Sequence, residues 1–159
     1  MAGGPLKEIG FVHWGSPNSG ATNAVGFNGV GSGVRNYLGL YSFITYSADL
    51  WNSNTDGFHD ARVLSSADSS FGHSGNTNYK EGKTVRLIKD DSTDPGTMTD
   101  SSGNVYMTVK IGTQVWMASN LKTRKYRDGS SISEVTDASI WAGLTSGALC
   151  AYSNNWAYV

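Results

Sequence analysis

The chain has 159 residues, of which 16% are charged and 11% are aromatic, with a formal net charge of −1 at pH 7 and one cysteine. This length suits a single domain with one core, and the aromatic content excludes disorder, which requires low hydrophobicity and high net charge. The balanced charge gives no general attraction for nucleic acid or membranes, no apolar stretch could span a bilayer, and the lone Cys150 excludes an internal disulfide.

Residues 1–90 contain short strand patterns separated by loops rich in Gly, Asn and Ser. The glycine-rich stretch at 26–35 predicts positive φ angles or close backbone approaches. Residues 37–46 (YLGLYSFITY) form the clearest predicted strand because aromatic and β-branched side chains dominate them. Further strands are predicted at residues 61–64 and 84–89, and long loops at residues 49–60 and 71–83.

Residues 91–98 are predicted to be a connector because Asp, Pro and Gly occur together there. In residues 99–159, the DSSGN sequence predicts a turn, and residues 105–111 and 113–117 predict a hairpin around Gly112. Residues 139–144 are the one stretch that predicts a helical turn, and the chain ends in a strand and an aromatic tail. The fold class is therefore mainly β with little helix, α+β at most.

Three stretches carry a resemblance to a known family. The sequence GNVYMTVKIGTQVWMASNLKTRKYRDG at residues 103–129 resembles the opening part of the Fibrobacter succinogenes major paralogous domain. The sequences LKEIGFVHWGSPNSGATNAVGF at 6–27 and VRLIKD at 85–90 resemble its closing part. Residues 1–90 would then be the C-terminal half of the family domain and residues 99–159 its N-terminal half, in reversed order.

The resemblance implies a C-type-lectin-like fold, shared with formylglycine-generating enzymes, in which the first and last strands pair. A permuted chain could then form the same sheet if strand 84–89 lies beside strand 105–111. A connector of roughly ten residues spans up to ~33 Å, which is enough to join these two strands. The family's middle segment is missing, so the alternative is two half-domains completed by neighbouring copies. That arrangement would make the protein a homo-oligomer, because unpaired sheet edges are unstable alone.

No enzymatic activity is expected. The formylglycine-generating relatives depend on a pair of cysteines, whereas Cys150 is alone and is interpreted as a buried structural thiol.

No metal or other cofactor is expected either. The three histidines lack metal-ligand spacing. Calcium deserves a test because C-type lectins often use it to hold sugars, but the spacing of the aspartate cluster is not that of a calcium loop, which favours a role in turns. These residues are His13, His59 and His73, and Asp90, Asp91, Asp94 and Asp100.

Aromatic side chains among Asn, Ser, Gly and Thr are the main indication of a binding site. Carbohydrate and protein recognition both use flat aromatic faces flanked by amides and hydroxyls. Trp116 and Trp141 are predicted to be core, whereas for Trp51 and Phe58 both a surface and a core position stay open. The predicted ligand-binding residues are Tyr41, Tyr46, Trp51, Asn52, Phe58, His59, Asn76 and Tyr79.

These observations predict a non-enzymatic structural or recognition module. The start of the chain has no leader pattern, and with no disulfide and many Gly, Ser, Asn and Thr residues this suits a phage virion surface component: a capsid decoration, head fibre or tail-tip protein. Its partners would be further copies, other virion proteins or a host surface glycan. The alternative is a secreted bacterial cell-surface module that binds carbohydrate or protein.

Overall fold

The computed structural model of the protein describes residues 2–53, 60–75, 78–89 and 94–159. Most of the regular structure is strand, which confirms the mainly β prediction. The strands are β1 (Ser32–Arg35), β2 (Tyr41–Ile44), β3 (Ser47–Trp51), β4 (Ala61–Ser65), β5 (Gly72–Ser74), β6 (Ile88–Lys89), β7 (Thr97–Thr99), β8 (Val105–Ile111), β9 (Gln114–Met117), β10 (Ser133–Glu134) and β11 (Ala148–Leu149). One helix, α1 (Ala138–Ala142), and three 3-10 turns, Gly4–Leu6, Tyr152–Asn154 and Trp156–Tyr158, complete these elements.

Residues 2–89, here called the first region, build a five-stranded sheet in the order β2-β1-β3-β4-β5. Adjacent strands in this sheet are antiparallel, except that β1 and β3 pair in parallel. The main core lies against this sheet, because loop residues Trp14 and Phe27 pack on strand residues Leu50 and Leu64. The Trp14 indole donates to the Gly29 carbonyl at 2.8 Å, so its polar atom is satisfied inside the core.

Residues 94–159, here called the second region, contribute three of the four strands of a second sheet, in the order β6-β9-β8-β7. All its pairings are antiparallel. The predicted hairpin is confirmed: Ile111 pairs with Gln114 across a turn in which Gly112 has a φ of 62°. The DSSGN turn is also confirmed, since the Asp100 amide donates to the Asn104 carbonyl at 3.0 Å.

The segment at residues 84–89 joins the two sheets. Thr84 exchanges backbone hydrogen bonds with β3, whereas Ile88 pairs with Trp116 of β9. The prediction that this segment lies directly beside β8 is wrong, although both belong to one sheet. The reason is that β8 already has β9 on one side, through the tight hairpin, and β7 on the other, so no edge of β8 is open.

Two further predictions on the first region need correction. The stretch predicted as a loop from residue 49 contains most of β3, and the loop predicted at 71–83 contains β5. Both strands exist because of β4, which pairs with β3 on one side and with β5 on the other. Asp49 and Gly72 are poor strand formers, so their strand conformation comes from these partners and not from local propensity.

Helix α1 confirms the predicted helical turn. The side chain of Asp137 caps its first turn by accepting from the Ile140 amide at 2.9 Å. Trp141 is buried, and its indole donates to the Lys80 carbonyl of the first region at 2.8 Å. Trp116 packs against the main core and meets Phe27 edge to face, so the predicted core positions of both tryptophans are confirmed. None of the described helices is long and apolar enough to cross a membrane.

Candidate functional site

An open cleft of about 320 Å³ lies where the two regions meet, and we call it the inter-region cleft. One wall is formed by β1 and residues 81–85 of the first region. The other wall comes from residues 120–126 and from the C-terminal tail after β11. Seven aromatic side chains contribute to the lining: Tyr41, Trp51, Tyr126, Trp141, Tyr152, Trp156 and Tyr158.

The aromatic tail is held against β1 by a close backbone approach. Gly33 has a φ of 63°, and a side chain there would come within 2.7 Å of the Tyr152 ring. Tyr152 packs on Tyr41 at a centroid distance of 5.1 Å and meets Tyr158 edge to face at 6.1 Å. The Tyr41 hydroxyl donates to Asn154 at 2.7 Å. These contacts line one end of the cleft with rings.

A buried arginine fixes the two walls relative to each other. The guanidinium of Arg35 lies between the rings of Tyr41 and Trp141, at 4.8 and 4.3 Å from their centroids. It donates to the carbonyls of Val135 and Thr136 in the second region and to Gly39 in the first. Arginine suits this position because its planar group can stack and donate in several directions at once.

Cys150 lines the cleft as a half-buried thiol. Burial raises the pKa of this thiol, and this outweighs the opposing effect of the neighbouring Arg35. The thiol is therefore protonated at neutral pH. An activated nucleophilic cysteine has a lowered pKa, and the surroundings of Cys150 shift its pKa the other way. The thiol is half-buried and not fully buried as predicted, and its structural role stays a prediction.

The rim of the cleft combines rings with charged groups. The Trp156 indole donates to Glu134 at 2.6 Å, and Arg124 lies 4.0 Å from the Trp156 ring while pairing with Glu134 at 2.8 Å. On the opposite wall, Lys83 pairs with Glu81 at 2.8 Å and lies 5.6 Å from the Trp51 ring. This arrangement can stack a flat ligand on aromatic faces and hydrogen-bond its polar groups at the edges.

Residues 109–158 match the family model of the Fibrobacter succinogenes major domain. The predicted resemblance is confirmed over these residues. The matched stretch includes the end of β8, all of β9 and α1, and the aromatic tail, so most of one wall of the inter-region cleft lies within it. No curated protein and no solved structure matches the chain. The resemblance of residues 6–90 to the closing half of the domain, and the reversed order, remain predictions.

The structure brings two of the predicted ligand-binding residues into the cleft, Tyr41 and Trp51. Asn52 lies next to Trp51 but lines a different cavity. Tyr46 and Tyr79 are exposed and line neither space. The remaining three predicted residues, Phe58, His59 and Asn76, lie outside the described residues.

The histidines and aspartates singled out in the sequence have structural partners where they are described. His13 pairs with Glu8 and His73 with Asp60, each at 2.8 Å. Asp100 accepts hydrogen bonds from Asn104 and Tyr106 and closes its turn, as its interpretation as a turn residue predicts. Asp90 and Asp91 lie outside the described residues. Among the residues the structure describes, no group of three or more His, Cys, Asp or Glu side chains could hold a metal ion.

The predicted ligand-binding residues include none from the second wall of the cleft. Tyr126, Tyr152, Trp156 and Tyr158 line this wall, and Arg35 of β1, on the first wall, was also not predicted. The first four are aromatic residues near Asn and Ser or beside Arg, which is the same signal that selected the predicted set. The signal for Arg35 is absent from the sequence, because nothing local indicates that this arginine is buried.

Proposed function

We propose that the protein is a non-enzymatic recognition module whose inter-region cleft binds a saccharide of a host surface glycan. In this proposal the protein is a surface component of a phage virion, such as a capsid decoration, head fibre or tail-tip protein. The observation that carries the proposal is the row of aromatic rings along a cleft whose rim has carboxylate and amide groups.

The chemistry of the cleft suits a sugar better than an apolar ligand. A pyranose presents an apolar C–H face that stacks on an aromatic ring and hydroxyls that hydrogen-bond at its edge. Tyr126 and Tyr158 are 43% and 47% exposed, so their rings are accessible. Glu81 and Asn120 add acceptors and donors to the same lining. Burial raises the pKa of the Cys150 thiol, which is the opposite of the shift that activates a thiol nucleophile.

An exposed apolar strip on the second sheet supports a role in assembly. Val105 and Met107 of β8 point to the same face and are 66% and 64% exposed. They lie next to β7, an edge strand of three residues. Apolar residues of this size on a strand near a sheet edge favour contact with another protein, either a second copy or another virion component.

A glycan array with wild-type and variant protein tests the binding proposal. Trp156→Ala removes a ring from the rim, together with its contacts to Glu134 and Arg124, and should lower apparent affinity by about tenfold or more. The matched control is Phe43→Ala, which removes an exposed ring outside the cleft and should bind like wild type. Absence of any glycan signal, or equal losses in both variants, would contradict saccharide binding in the cleft.

Light scattering tests the assembly proposal. We expect wild type to form a homo-oligomer, and Met107→Lys to shift it toward monomer because a charge on the strip opposes burial. Lys110→Met, on the other face of β8, is the control and should leave the mass unchanged. A compact wild-type monomer that also fails to bind virion proteins would contradict assembly. The alternative, a secreted bacterial cell-surface module, predicts that the protein is recovered with the bacterial surface and not with purified virions.

A further inference from the structure

A second cavity, of about 430 Å³, lies on the other side of Trp51, and we call it the apolar cavity. Its walls come from the N-terminal segment, β3 and the β8–β9 hairpin, and its volume is in the range of sites that hold small organic ligands. Four polar side chains also line it: Asn52, Arg62, Arg86 and Gln114. The apolar part of the lining consists of Ala2, Pro5, Leu6, Val25, Phe27, Leu50, Trp51, Phe71, Ile111 and Trp116.

Arg86 is the unusual member of this lining, because it is a cation that is only 7% exposed. Its guanidinium lies 4.2 Å from the Phe27 ring. Its Nε donates to Asn120 Oδ1 at 2.9 Å, one terminal nitrogen donates to the Asn28 carbonyl at 2.9 Å, and the other donates to the Phe27 carbonyl. A guanidinium has five N–H groups, so one N–H on each terminal nitrogen is not accounted for by these bonds.

The charge of Arg86 has no counter-charge within the described part of the chain. The ion pairs recorded there do not include Arg86, and the described lining of the apolar cavity holds two guanidinium groups and no carboxylate. Burial lowers the pKa of Arg86 to about 9, which reflects the cost of keeping a cation away from water. Neutral carbonyl acceptors offset this cost only in part.

We propose that the apolar cavity binds an organic carboxylate with a flat apolar body. The carboxylate would accept from the two remaining N–H groups of Arg86, a paired geometry that arginine and carboxylates adopt readily. The body would pack against the apolar lining, which includes Phe71, Ile111 and Trp116. An inorganic anion would leave the apolar walls without a partner, and a saccharide would leave its hydroxyls facing them, so neither fits this lining.

The competing explanation is that Arg86 is a structural link only. It joins Asn28 of the first region to Asn120 of the second, and the cavity beside it would then have no preference for charge. The two explanations differ in one measurable property. A binding site requires discrimination between an acid and its neutral isostere, whereas a structural link does not.

Methyl-detected NMR titration of the full chain at pH 7 measures this discrimination. The probes are 3-phenylpropanoate and 3-phenylpropanamide, which have similar shape and differ in charge. We expect the acid to shift the methyl signals of Val25, Leu6 and Ile111 and to bind at least about tenfold more tightly than the amide, the difference a charge-assisted pair provides. Equal binding of acid and amide, or no shift of these methyl signals, overturns the proposal.

Two surface substitutions locate the site without disturbing the buried Arg86. Gln114→Glu is isosteric and exposed, and it places a negative charge in the lining, so it should weaken the acid about fivefold and leave the amide unchanged. Arg62→Gln removes the second cation and should weaken the acid about threefold. The control Arg127→Gln, exposed elsewhere, should change nothing. Unchanged acid affinity in both Gln114→Glu and Arg62→Gln overturns this placement of the ligand.

The test is independent of the inter-region cleft. Trp156→Ala should leave 3-phenylpropanoate binding unchanged, because Trp156 lines the cleft and not the apolar cavity. Loss of acid binding in Trp156→Ala would place the acid in the cleft and overturn the assignment to the apolar cavity.

Discussion

The two regions of the chain reach the same β architecture by different means. In the second region, β7, β8 and β9 pair with their neighbours in sequence, and each turn is closed by residues next to it. In the first region, β1 pairs in parallel with β3, and long loops hold much of the core. This parallel pairing and these loops join residues that lie farther apart in the chain than those of the second region's hairpins.

A buried lysine shows how the first region is held. Lys7 is fully buried, and its ammonium donates to three carbonyls, those of Ser19, Ser65 and Asp68, each at 2.8 Å. Burial lowers the pKa of Lys7, with a smaller opposing effect from Asp68. All three donors of the ammonium are thus used to join the N-terminal segment to the loop at Ser19 and to the chain at the end of β4. In the first region a buried cation links separate segments of the chain. In the second region the hydrogen bonds of the hairpins provide these links.

The largest expected effect comes from removing that lysine. Lys7→Met leaves three carbonyls without their donor, and at about 1–3 kcal/mol for each unsatisfied group the free energy of unfolding should fall by about 4 kcal/mol. Urea unfolding followed by tryptophan fluorescence measures this. Lys110→Met, exposed on β8, is the control and should change stability by less than about 0.5 kcal/mol. If Lys7→Met lowered the free energy of unfolding by less than about 1 kcal/mol, the first region would not depend on its buried cation, and the contrast drawn between the two regions would be wrong.

A smaller effect is expected from Tyr106→Phe in the second region. The Tyr106 hydroxyl donates to Asp100 at 2.6 Å and accepts from the Lys122 amide at 2.8 Å. Burial and the bond to Asp100 raise the pKa of Tyr106 to about 12, so the hydroxyl is a stable donor at neutral pH. Its loss should lower the free energy of unfolding by about 2 kcal/mol. Tyr46→Phe, with an exposed ring, is the control.

Tyr106→Phe should also change how the free energy of unfolding depends on pH. Burial alone would raise the pKa of Asp100, but hydrogen bonds from Tyr106, Asn104 and Ser102 outweigh it, and the net pKa is lowered. A lowered folded-state pKa contributes stability above the ordinary carboxyl value, and this is lost as pH falls through the folded value. The difference between wild type and Tyr106→Phe should therefore be larger at pH 7 than near pH 2.5. A constant difference would show that Asp100 is not the titrating partner.

The smallest effect is expected at the β8–β9 turn. Gly112 has a φ of 62°, and the space where a side chain would go is open. Gly112→Ala should therefore lower the free energy of unfolding only by the cost of holding alanine in the left-handed conformation, about 1 kcal/mol. Gly96→Ala, also in open space but without a positive φ, should be nearly neutral. Thermal unfolding of both variants measures the difference. If the two variants were equal, the turn would not depend on the conformation of Gly112.

Several predictions from sequence succeeded where structure is local, although the strand predicted at residues 37–46 forms only at Tyr41–Ile44. The β8–β9 hairpin, the DSSGN turn and the turn of α1 were predictable because their donors, acceptors and turn residues lie within a few positions of one another. β3 and β5 were missed because β4 provides their hydrogen bonds, and residues 84–89 change partner from β3 to β9 along their length. For the candidate site, the prediction from residue type included Tyr41 and Trp51. It did not include the C-terminal aromatic tail, which lies on the opposite wall of the cleft.

The sequence by itself determined the mainly β character, the hairpins of the second region and the supply of aromatic side chains for a binding surface, because these depend on residue type and short spacing. Only the tertiary structure decided which rings share the inter-region cleft. It also decided that Lys7, Arg35 and Arg86 are buried, since burial of a cation depends on carbonyls and rings that distant segments bring to it. A charged residue in a sequence has no local feature that distinguishes a solvated side chain from one that joins two parts of a core.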